Sequence, residues 1–207
     1  MAKTTGGKKT SGRRADVKRK TLETDIRLTL NLDGSGQADA GTGIGFFDHM
    51  LEALAKHGAL DLKVACAGDR HVDDHHSVED VGIVLGMAVK DALGDKAGIR
   101  RFGFASVPLD EALAQVTIDL SGRAHLSFRG RKRLQKGKVG TFDVELLEDF
   151  LGAFASSSLS TMHVDLRAGR NTHHLIEATF KAFARALRQA VERDPRVSGV
   201  PSTKGVL

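Results

Sequence analysis

The chain has 207 residues, which is enough for one domain or two small fused ones with a substantial apolar core. Its 41% apolar and 28% charged residues are ordinary for a globular protein, and because Trp and Tyr are absent, ten Phe supply the aromatic packing. A single cysteine excludes an internal disulfide framework and suits a reducing cytoplasm. No apolar run approaches the roughly 18 residues of a membrane helix, and the polar N-terminus lacks the apolar stretch of a secretory signal.

The net charge of +5 is concentrated at the N-terminus. Residues 1–20 contain eight Lys or Arg and one acidic residue, Asp16, and so carry +7, which leaves −2 for the remainder. A body with this charge is not a cationic nucleic-acid binder. We expect residues 1–15 to form a disordered basic tail, with a nucleic-acid anchor as the alternative.

Each half of the chain has the same order of predicted elements. An alternating strand is followed by a turn with glycine, a short amphipathic helix, a second strand and a long helix. The elements of the first half are predicted at residues 26–32, 47–57, 62–66 and 75–93. Those of the second half are predicted at residues 114–120, 144–156, 162–166 and 173–192. Strands and helices mixed within each half favour the α+β class.

The two halves also match residue by residue, as expected for an internal repeat. The segment beginning at His75 aligns with the one beginning at His173, at an offset of 98. The short helices and second strands align at an offset of 100 and the first strands at 88, so the second copy has a 12-residue longer loop. The basic residues of that loop are Arg129, Arg131, Lys132, Arg133, Lys136 and Lys138. We expect two repeats, about 16–103 and 104–195, that share one core, and a C-terminal segment 196–207.

Both long helices begin with the pattern His-His-x-x-Glu. His75 and Glu79 share one helix face, whereas His76 lies about 100° around the helix. The second cluster repeats this arrangement with His173, His174 and Glu177. Adjacent imidazoles on different faces serve two ions better than one, so each predicted site combines a His–Glu pair with a diverging histidine of the other half or of a neighbouring subunit. Two imidazoles and a carboxylate suit Mn, Fe, Co, Ni or Zn.

The repeat indicates two further ligands on the short helices. His49 aligns with Asp149 at the offset of 100, and both side chains bind metals. His163 lies on the strand before the second cluster, where we expect it to support a ligand or pack in the core, with direct ligation as the alternative. We interpret Cys66 as a small core residue.

A second candidate group binds anions. Arg101 closes the first half and Arg123 follows a glycine turn in the second. The C-terminal segment adds Ser202, Thr203 and Lys204. Guanidinium, hydroxyl and ammonium groups together suit a phosphate. We predict that the C-terminal segment closes over a bound anion, with a frayed terminus as the alternative.

With these residues the chain resembles the imidazoleglycerol-phosphate dehydratase family of histidine biosynthesis. The resemblance rests on GFFDHML (45–51), DDHHSVED (73–80), GIRRFG (98–103), DLSGR (119–123), GRNTHHLIEATFKAFARALRQA (169–190) and PSTKGVL (201–207). These motifs occur in order and extend over nearly everything from Lys20 to Leu207, leaving out the N-terminal tail.

The resemblance implies an internally duplicated α+β fold, ribosomal-protein-S5-domain-2-like. It implies a manganese-dependent lyase that converts D-erythro-imidazole glycerol phosphate to imidazole acetol phosphate and water. It further implies two Mn²⁺ per active site and a homo-oligomer of 24 subunits built from trimers, with metals at subunit contacts and without nucleic acid or membrane.

The resemblance also assigns roles by motif. The implied metal ligands are His49, His75, His76, Glu79, His173, His174 and Glu177. The remaining ligand position falls on Asp149, where family members carry histidine or a carboxylate. The implied substrate-binding residues are Glu23, His49, Arg101, Arg123, Lys181, Ser202, Thr203 and Lys204. Glu23 and the six residues of the two clusters form the implied catalytic group.

The implied dehydration suits a substrate whose imidazole ring lies between two metal ions. Because no carbonyl acidifies the departing proton, we hypothesise that the imidazole loses its N–H proton between the two ions and, as an imidazolate, expels the neighbouring hydroxide. Loss of the adjacent C–H proton then gives an enol, which relaxes to the ketone. In this hypothesis the ions would act as Lewis acids and as a template, and a carboxylate such as Glu23 would move the protons. The alternatives are a metal-storage shell, a nucleic-acid-binding protein and a metal-dependent phosphate-ester hydrolase.

Overall fold

The computed structural model describes residues 3–5 and 12–207, the first of these ranges by its backbone alone. In chain order the elements are β1 (Lys3–Thr5), β2 (Arg14–Lys20), β3 (Thr24–Asn31), β4 (Ala38–Gly41), α1 (Gly45–Gly58), β5 (Asp61–Gly68), α2 (His75–Leu93), β6 (Phe102–Leu109), β7 (Ala112–Asp119), β8 (His125–Arg129), a 3-10 helix (Arg131–Arg133), β9 (Lys138–Val139), β10 (Phe142–Asp143), α3 (Leu146–Ser158), β11 (Thr161–Ala168) and α4 (Thr172–Val191).

Both halves build a sheet of the same connectivity. The first has the strand order β1-β2-β3-β5-β4 and the second β6-β7-β11-β8. In each, the last-named strand runs parallel to its neighbour and the other pairs are antiparallel. Apart from β1, the strands of the two sheets follow each other in the same order. The internally duplicated α+β fold predicted from the sequence is therefore confirmed.

The elements predicted in each half are all present, with each end within two residues of its prediction. Among the strands that the sequence did not predict, β2, β4, β6 and β8 each lie next to a predicted strand. The longer loop of the second half contains the 3-10 helix and the β9–β10 hairpin. Its basic residues are partly paired, since Arg131 contacts Glu148 and Lys138 lies 2.9 Å from Asp143.

The helices lie between the two sheets. Helices α1 and α2 cover the first sheet, α3 and α4 cover the second, α2 packs on α3 and α1 packs on α4. Two glycines allow α2 and α3 to approach closely. A Cβ on Gly82 would lie 2.7 Å from the Phe150 carbonyl oxygen, and one on Gly86 would lie 2.6 Å from that of Phe154. Both helices advance in the same direction along this contact, so their N-termini lie side by side.

Helices α1 and α4 pair in the same parallel way. The Phe46 ring packs on the His173 ring near both starts, with centroids 5.0 Å apart. Gly58 faces the Ala184 carbonyl oxygen further along, where a Cβ would lie 3.5 Å from it. The first turns of paired helices, which hold the predicted metal ligands, therefore meet in two places.

Phenylalanine rings join the halves at the centre of the core. The ring centroid of Phe150 on α3 lies 5.4 Å from that of Phe47 on α1 and 5.2 Å from that of Phe180 on α4. All three side chains are fully buried. The buried apolar residues form one cluster that draws on both halves. Aromatic contact across the repeat thus fixes the helix pairs relative to each other.

The chain ends bear on two predictions. The predicted disordered tail, residues 1–15, lies largely outside the described residues; within it, the backbone of residues 3–5 pairs with β2, and β2 itself begins at Arg14. The C-terminal segment after α4 has turns without further helix or strand. This segment lies against the junction between the two halves, where the Gly98 N–H donates to the Gly199 carbonyl at 2.8 Å. Among the described residues, none of the helices combines the length and apolarity needed to cross a bilayer.

Candidate active site

Local capping sets both His-His pairs at the first turns of the long helices. The Asp73 carboxylate accepts the His75 backbone N–H at 2.8 Å, at the start of α2. The Asn171 side chain accepts the backbone N–H groups of His173 at 2.9 Å and His174 at 3.4 Å, at the start of α4. These caps satisfy N–H groups that have no partner within the helix, and so fix the residue at which each helix begins.

One half-site lies where α1 meets α4. The His173 Nε2 atom lies 3.2 Å from Glu177 Oε2, and the Lys181 ammonium lies 2.7 Å from Glu177 Oε1. His49, Glu177 and Lys181 line a cavity of about 390 Å³. Burial opposes ionisation of Glu177, but Lys181 and the His173 and His49 rings outweigh it, so the pKa of this carboxyl lies below its ordinary value. The group combines imidazole and carboxylate donors from both repeats.

The second half-site lies where α2 meets α3. The His75 Nε2 atom lies 3.8 Å from Glu79 Oε2, and its Nδ1 atom lies 3.7 Å from Asp149 Oδ2. Asp149 also lines a cavity of about 510 Å³ beside the longer loop of the second half. The structure therefore brings Asp149 to the first His–Glu pair, as it brings His49 to the second.

His76 and His174 point to other faces, as the helical spacing predicts. Each ring lies 6.0 Å from that of its neighbouring histidine, at interplanar angles of 84° and 88°. Each instead meets a carboxylate that the sequence did not indicate: Asp69 for His76 and Glu111 for His174. Asp69 raises the pKa of His76. His174 and the Asn171 N–H lower the pKa of Glu111 to about 2.

The donor atoms suit a borderline divalent metal, but one chain supplies incomplete sets. Each half-site offers a histidine, a glutamate and one further side chain, which are the ligand types that Mn, Fe and Zn accept. Across residues 3–5 and 12–207, no group of three or more such side chains is gathered closely enough to hold an ion within a single chain. The residues therefore fit a metal, with the missing donors expected from another copy.

Glu23 lies beside the first cluster. It occupies the turn between β2 and β3, where its backbone N–H donates to Thr21 Oγ1 at 3.1 Å. Its carboxylate is exposed and its Oε1 atom lies 3.8 Å from His76 Nε2. An exposed carboxylate next to a predicted ligand is in position to exchange protons with a bound molecule.

The predicted anion-binding residues gather at the junction of the halves. The Arg101 guanidinium donates to both oxygens of Asp119, at 2.7 and 3.1 Å, and to the Pro201 carbonyl at 2.9 Å. The main chain of Leu207 packs on Gly122, next to Arg123; a Cβ there would lie 2.7 Å from the Leu207 carbonyl carbon. The exposed Thr203 and Lys204 and the half-buried Ser202 belong to the same segment. Lys181 lies apart from this group, in the His49 cavity.

Two further residues lie outside the predicted ligand set. His163 on β11 is exposed and its ring lies beside that of His125 on β8, with centroids 6.0 Å apart. It therefore neither packs in the core nor supports the His–Glu clusters of its own chain, and that prediction was wrong. Burial raises the pKa of the half-buried Cys66 thiol to about 11, so it is unreactive at neutral pH.

The comparisons with known proteins agree. The family model described as imidazoleglycerol-phosphate dehydratase matches residues 42–187. The chain is 61% identical over 196 residues to the imidazoleglycerol-phosphate dehydratase of Granulibacter bethesdensis, covering 94% of this chain and 99% of the relative. It is 56% identical over 195 residues to that of Geobacillus thermodenitrificans, covering 94% and 99%.

Solved structures agree as well. The imidazoleglycerol-phosphate dehydratase of Staphylococcus aureus matches with a TM-score of 0.79 at 40% identity, covering 87% of this chain and 99% of that one. The IGPD of Pyrococcus furiosus matches with a TM-score of 0.79 at 34% identity, covering 92% and 99%.

Proposed function

The chain belongs to the imidazoleglycerol-phosphate dehydratase family, and we propose that its two His–Glu clusters form the metal centre of this enzyme. The protein is a lyase of histidine biosynthesis and dehydrates imidazole glycerol phosphate to imidazole acetol phosphate in a metal-dependent reaction. The observation that carries the proposal is the parallel pairing of helices, which places His49 beside Glu177 and Asp149 beside His75.

We propose Mn²⁺ as the metal, two ions per active site. Its ligands are His49, His75, His76, Glu79, Asp149, His173, His174 and Glu177. When bound, the ions supply Lewis acidity and hold the azole ring of the substrate. The support is the donor chemistry of the two half-sites and the incompleteness of each within one chain.

Glu23 is the proposed proton-transfer group. As the ring-bound carbon loses hydroxide, the Glu23 carboxylate would take the C–H proton from the adjacent carbon, which gives the enol. It would then deliver a proton to the ring-bound carbon while the enol oxygen loses its own, which gives the ketone. Its placement 3.8 Å from His76 Nε2 supports this role, because a carboxylate there adjoins a proposed ligand.

The phosphate is proposed to bind Arg101, Arg123, Lys181, Ser202, Thr203 and Lys204, with segment 196–207 closing over it. The contact of Arg101 with the Pro201 carbonyl supports the segment's part in this, since it ties the segment to a proposed phosphate ligand. Closure excludes water, which strengthens the charge–charge attraction between these cations and the phosphate.

We further propose a cytoplasmic homo-oligomer, a 24-mer built from trimers. The diverging His76 and His174 then complete half-sites on neighbouring copies. Within each chain, residues 16–207 form one catalytic domain of two repeats, about 16–103 and 104–195. The single apolar cluster drawn from both halves supports this organisation.

Removal and return of metal tests the function. Chelated, dialysed protein is expected to be inactive on imidazole glycerol phosphate, and Mn²⁺ is expected to restore turnover without release of inorganic phosphate. Full activity without metal contradicts the metal centre, release of phosphate indicates a hydrolase, and metal uptake without turnover indicates a storage shell.

A substitution tests the role of Glu23. Glu23→Gln is expected to lower kcat about 10²–10⁴-fold while folding is kept, because general acid–base catalysis contributes that much. Asp16→Asn, an exposed carboxylate on the adjoining strand β2, is the matched control and is expected to keep wild-type kcat. Full turnover by Glu23→Gln would remove the assigned role.

A further inference from the structure

We infer that Asp69 and Glu111 are positioning residues for the metal centre, each holding one diverging histidine through its Nδ1 atom. The inference rests on the proposed function, because it concerns ligands that this function requires. Neither carboxylate belongs to the predicted ligand set or to the predicted substrate contacts.

The two contacts have the same geometry. The His76 Nδ1 atom lies 3.1 and 3.2 Å from the two carboxylate oxygens of Asp69. The His174 Nδ1 atom lies 2.8 Å from Glu111 Oε2. An ionised carboxylate only accepts hydrogen bonds, so Nδ1 carries the hydrogen, and in the neutral ring Nε2 then keeps the lone pair that a metal needs. Metal-binding histidines are held in this manner, with the other ring N–H donated to a carboxylate.

The carboxylates are themselves fixed in place. Glu111 Oε1 accepts the backbone N–H groups of Asn171 at 2.8 Å and Arg170 at 3.3 Å, at the start of α4. The Asp69 backbone N–H donates to the Glu23 carbonyl at 3.0 Å, and the Asp69 side chain is largely buried. Glu111 is thereby tied to the start of α4, and Asp69 is tied to the turn that carries Glu23.

The internal repeat gives independent support, because each half places a carboxylate on the Nδ1 atom of its diverging histidine but takes it from a different position in the repeat. Glu23 directly precedes β3 and Glu111 directly precedes β7, at the offset of 88 that relates these strands. The two glutamates thus occupy equivalent positions. Glu111 holds the Nδ1 atom of its histidine, whereas Glu23 lies near the Nε2 atom of His76.

The residues that follow β5 and β11 explain why the two halves use different carboxylates to hold the histidine. Asp69 follows β5, and its equivalent after β11 is Gly169. Gly169 has φ +130°, and a Cβ there would lie 2.7 Å from the Leu175 side chain, so a carboxylate does not fit. The second half uses its glutamate instead. In the first half Asp69 holds the Nδ1 atom of His76, so Glu23 is available for the proposed proton transfer.

The test measures Mn²⁺ affinity on metal-free, full-length protein by the electron paramagnetic resonance signal of free Mn²⁺. Asp69→Ala and Glu111→Ala are expected to bind Mn²⁺ about 10–100-fold more weakly than wild type. Asp69→Asn keeps an acceptor oxygen for the His76 Nδ1–H and is expected to recover most of the affinity. Glu111→Gln has one acceptor oxygen where Glu111 uses two, for the His174 ring and for backbone N–H groups, and is expected to recover only part of it. Glu23→Gln is expected to keep wild-type affinity and lose kcat.

The control is Asp61→Asn, since Asp61 also accepts backbone N–H groups in a turn but contacts no histidine. It is expected to keep wild-type affinity. Unfolding midpoints of the metal-free variants are measured in parallel. Wild-type affinity in Glu111→Ala, or a lowered unfolding midpoint alone, would overturn the inference and leave the proposed function intact. Failure of the wild type to bind Mn²⁺ would overturn both.

Discussion

The close approach of α2 and α3 yields a quantitative prediction for Gly86→Ala. The added Cβ would lie 2.6 Å from the Phe154 carbonyl oxygen, 2.9 Å from the Ser158 nitrogen and 2.9 Å from the Ser157 Cβ. Two of these atoms are backbone and cannot rotate away, so we take the upper end of overpacking costs, about 3 kcal/mol. The higher helix propensity of Ala offsets about 1 kcal/mol. The expected net loss is about 2 kcal/mol, or about 4–8 °C in the unfolding midpoint.

Gly152→Ala is the matched control. Gly152 lies inside α3, in the same helix pair, but a Cβ there meets only the Leu126 side chain at an ordinary 3.7 Å. The same substitution is expected to stabilise the protein by about 1 kcal/mol, since it adds helix propensity without a clash.

Differential scanning calorimetry of metal-free protein at one fixed concentration compares the two variants with wild type. Midpoints that shift in opposite directions support the reasoning. A Gly86→Ala midpoint equal to or above that of Gly152→Ala would refute it, because the helices would then not be in contact at this residue. Gly86→Ala should also weaken metal binding, since separating the helices moves His75 from Asp149.

Three further predictions follow from single contacts. Phe150→Ala should lower the free energy of unfolding by about 3–5 kcal/mol in denaturant titrations, because its fully buried ring joins both halves; a loss under 1 kcal/mol would contradict this packing. Arg101→Lys should raise KM by about tenfold with a smaller change in kcat, because an ammonium cannot keep the paired contact with Asp119; an unchanged KM would count against the anion site. The Ser35 N–H, with other donors, lowers the pKa of Asp61, so its stabilising effect is complete above the ordinary carboxyl pKa and is lost as pH falls through the lowered one. Asp61→Asn should therefore destabilise the protein at pH 7 but not at strongly acidic pH, and an equal effect at both would refute this.

The repeated elements could be predicted because their patterns are strong. Helix α2 begins and ends at the predicted residues, since Asp73 caps its first turn and Gly94 follows its last residue. Strand β2 was missed because Ala15 and Val17 are its only apolar residues and its other five residues are charged. Strand β6 was missed because it contains Pro108, which is tolerated only because β6 is an edge strand.

The candidate site was predicted in part for the same reason. The duplicated pattern indicated the helix faces of His75, His76, His173 and His174, and the structure confirms that neighbouring rings diverge. Glu111 was missed because its contact with His174 depends on how the β6–β7 turn lies against α4. The offset of 88 from Glu23 was the one signal that pointed to it. The subunit that supplies each diverging histidine depends on surfaces of another copy, which no spacing within one chain encodes.

A crystal structure of the Mn²⁺-loaded protein, with the ions located by anomalous scattering, tests the metal centre most directly. The expected result is two ions per active site, one on His75, Glu79 and Asp149 and the other on His49, His173 and Glu177. Each is completed by the Nε2 atom of a His76 or His174 from a neighbouring copy. Ions bound elsewhere, or the two clusters without any ion, would contradict the account.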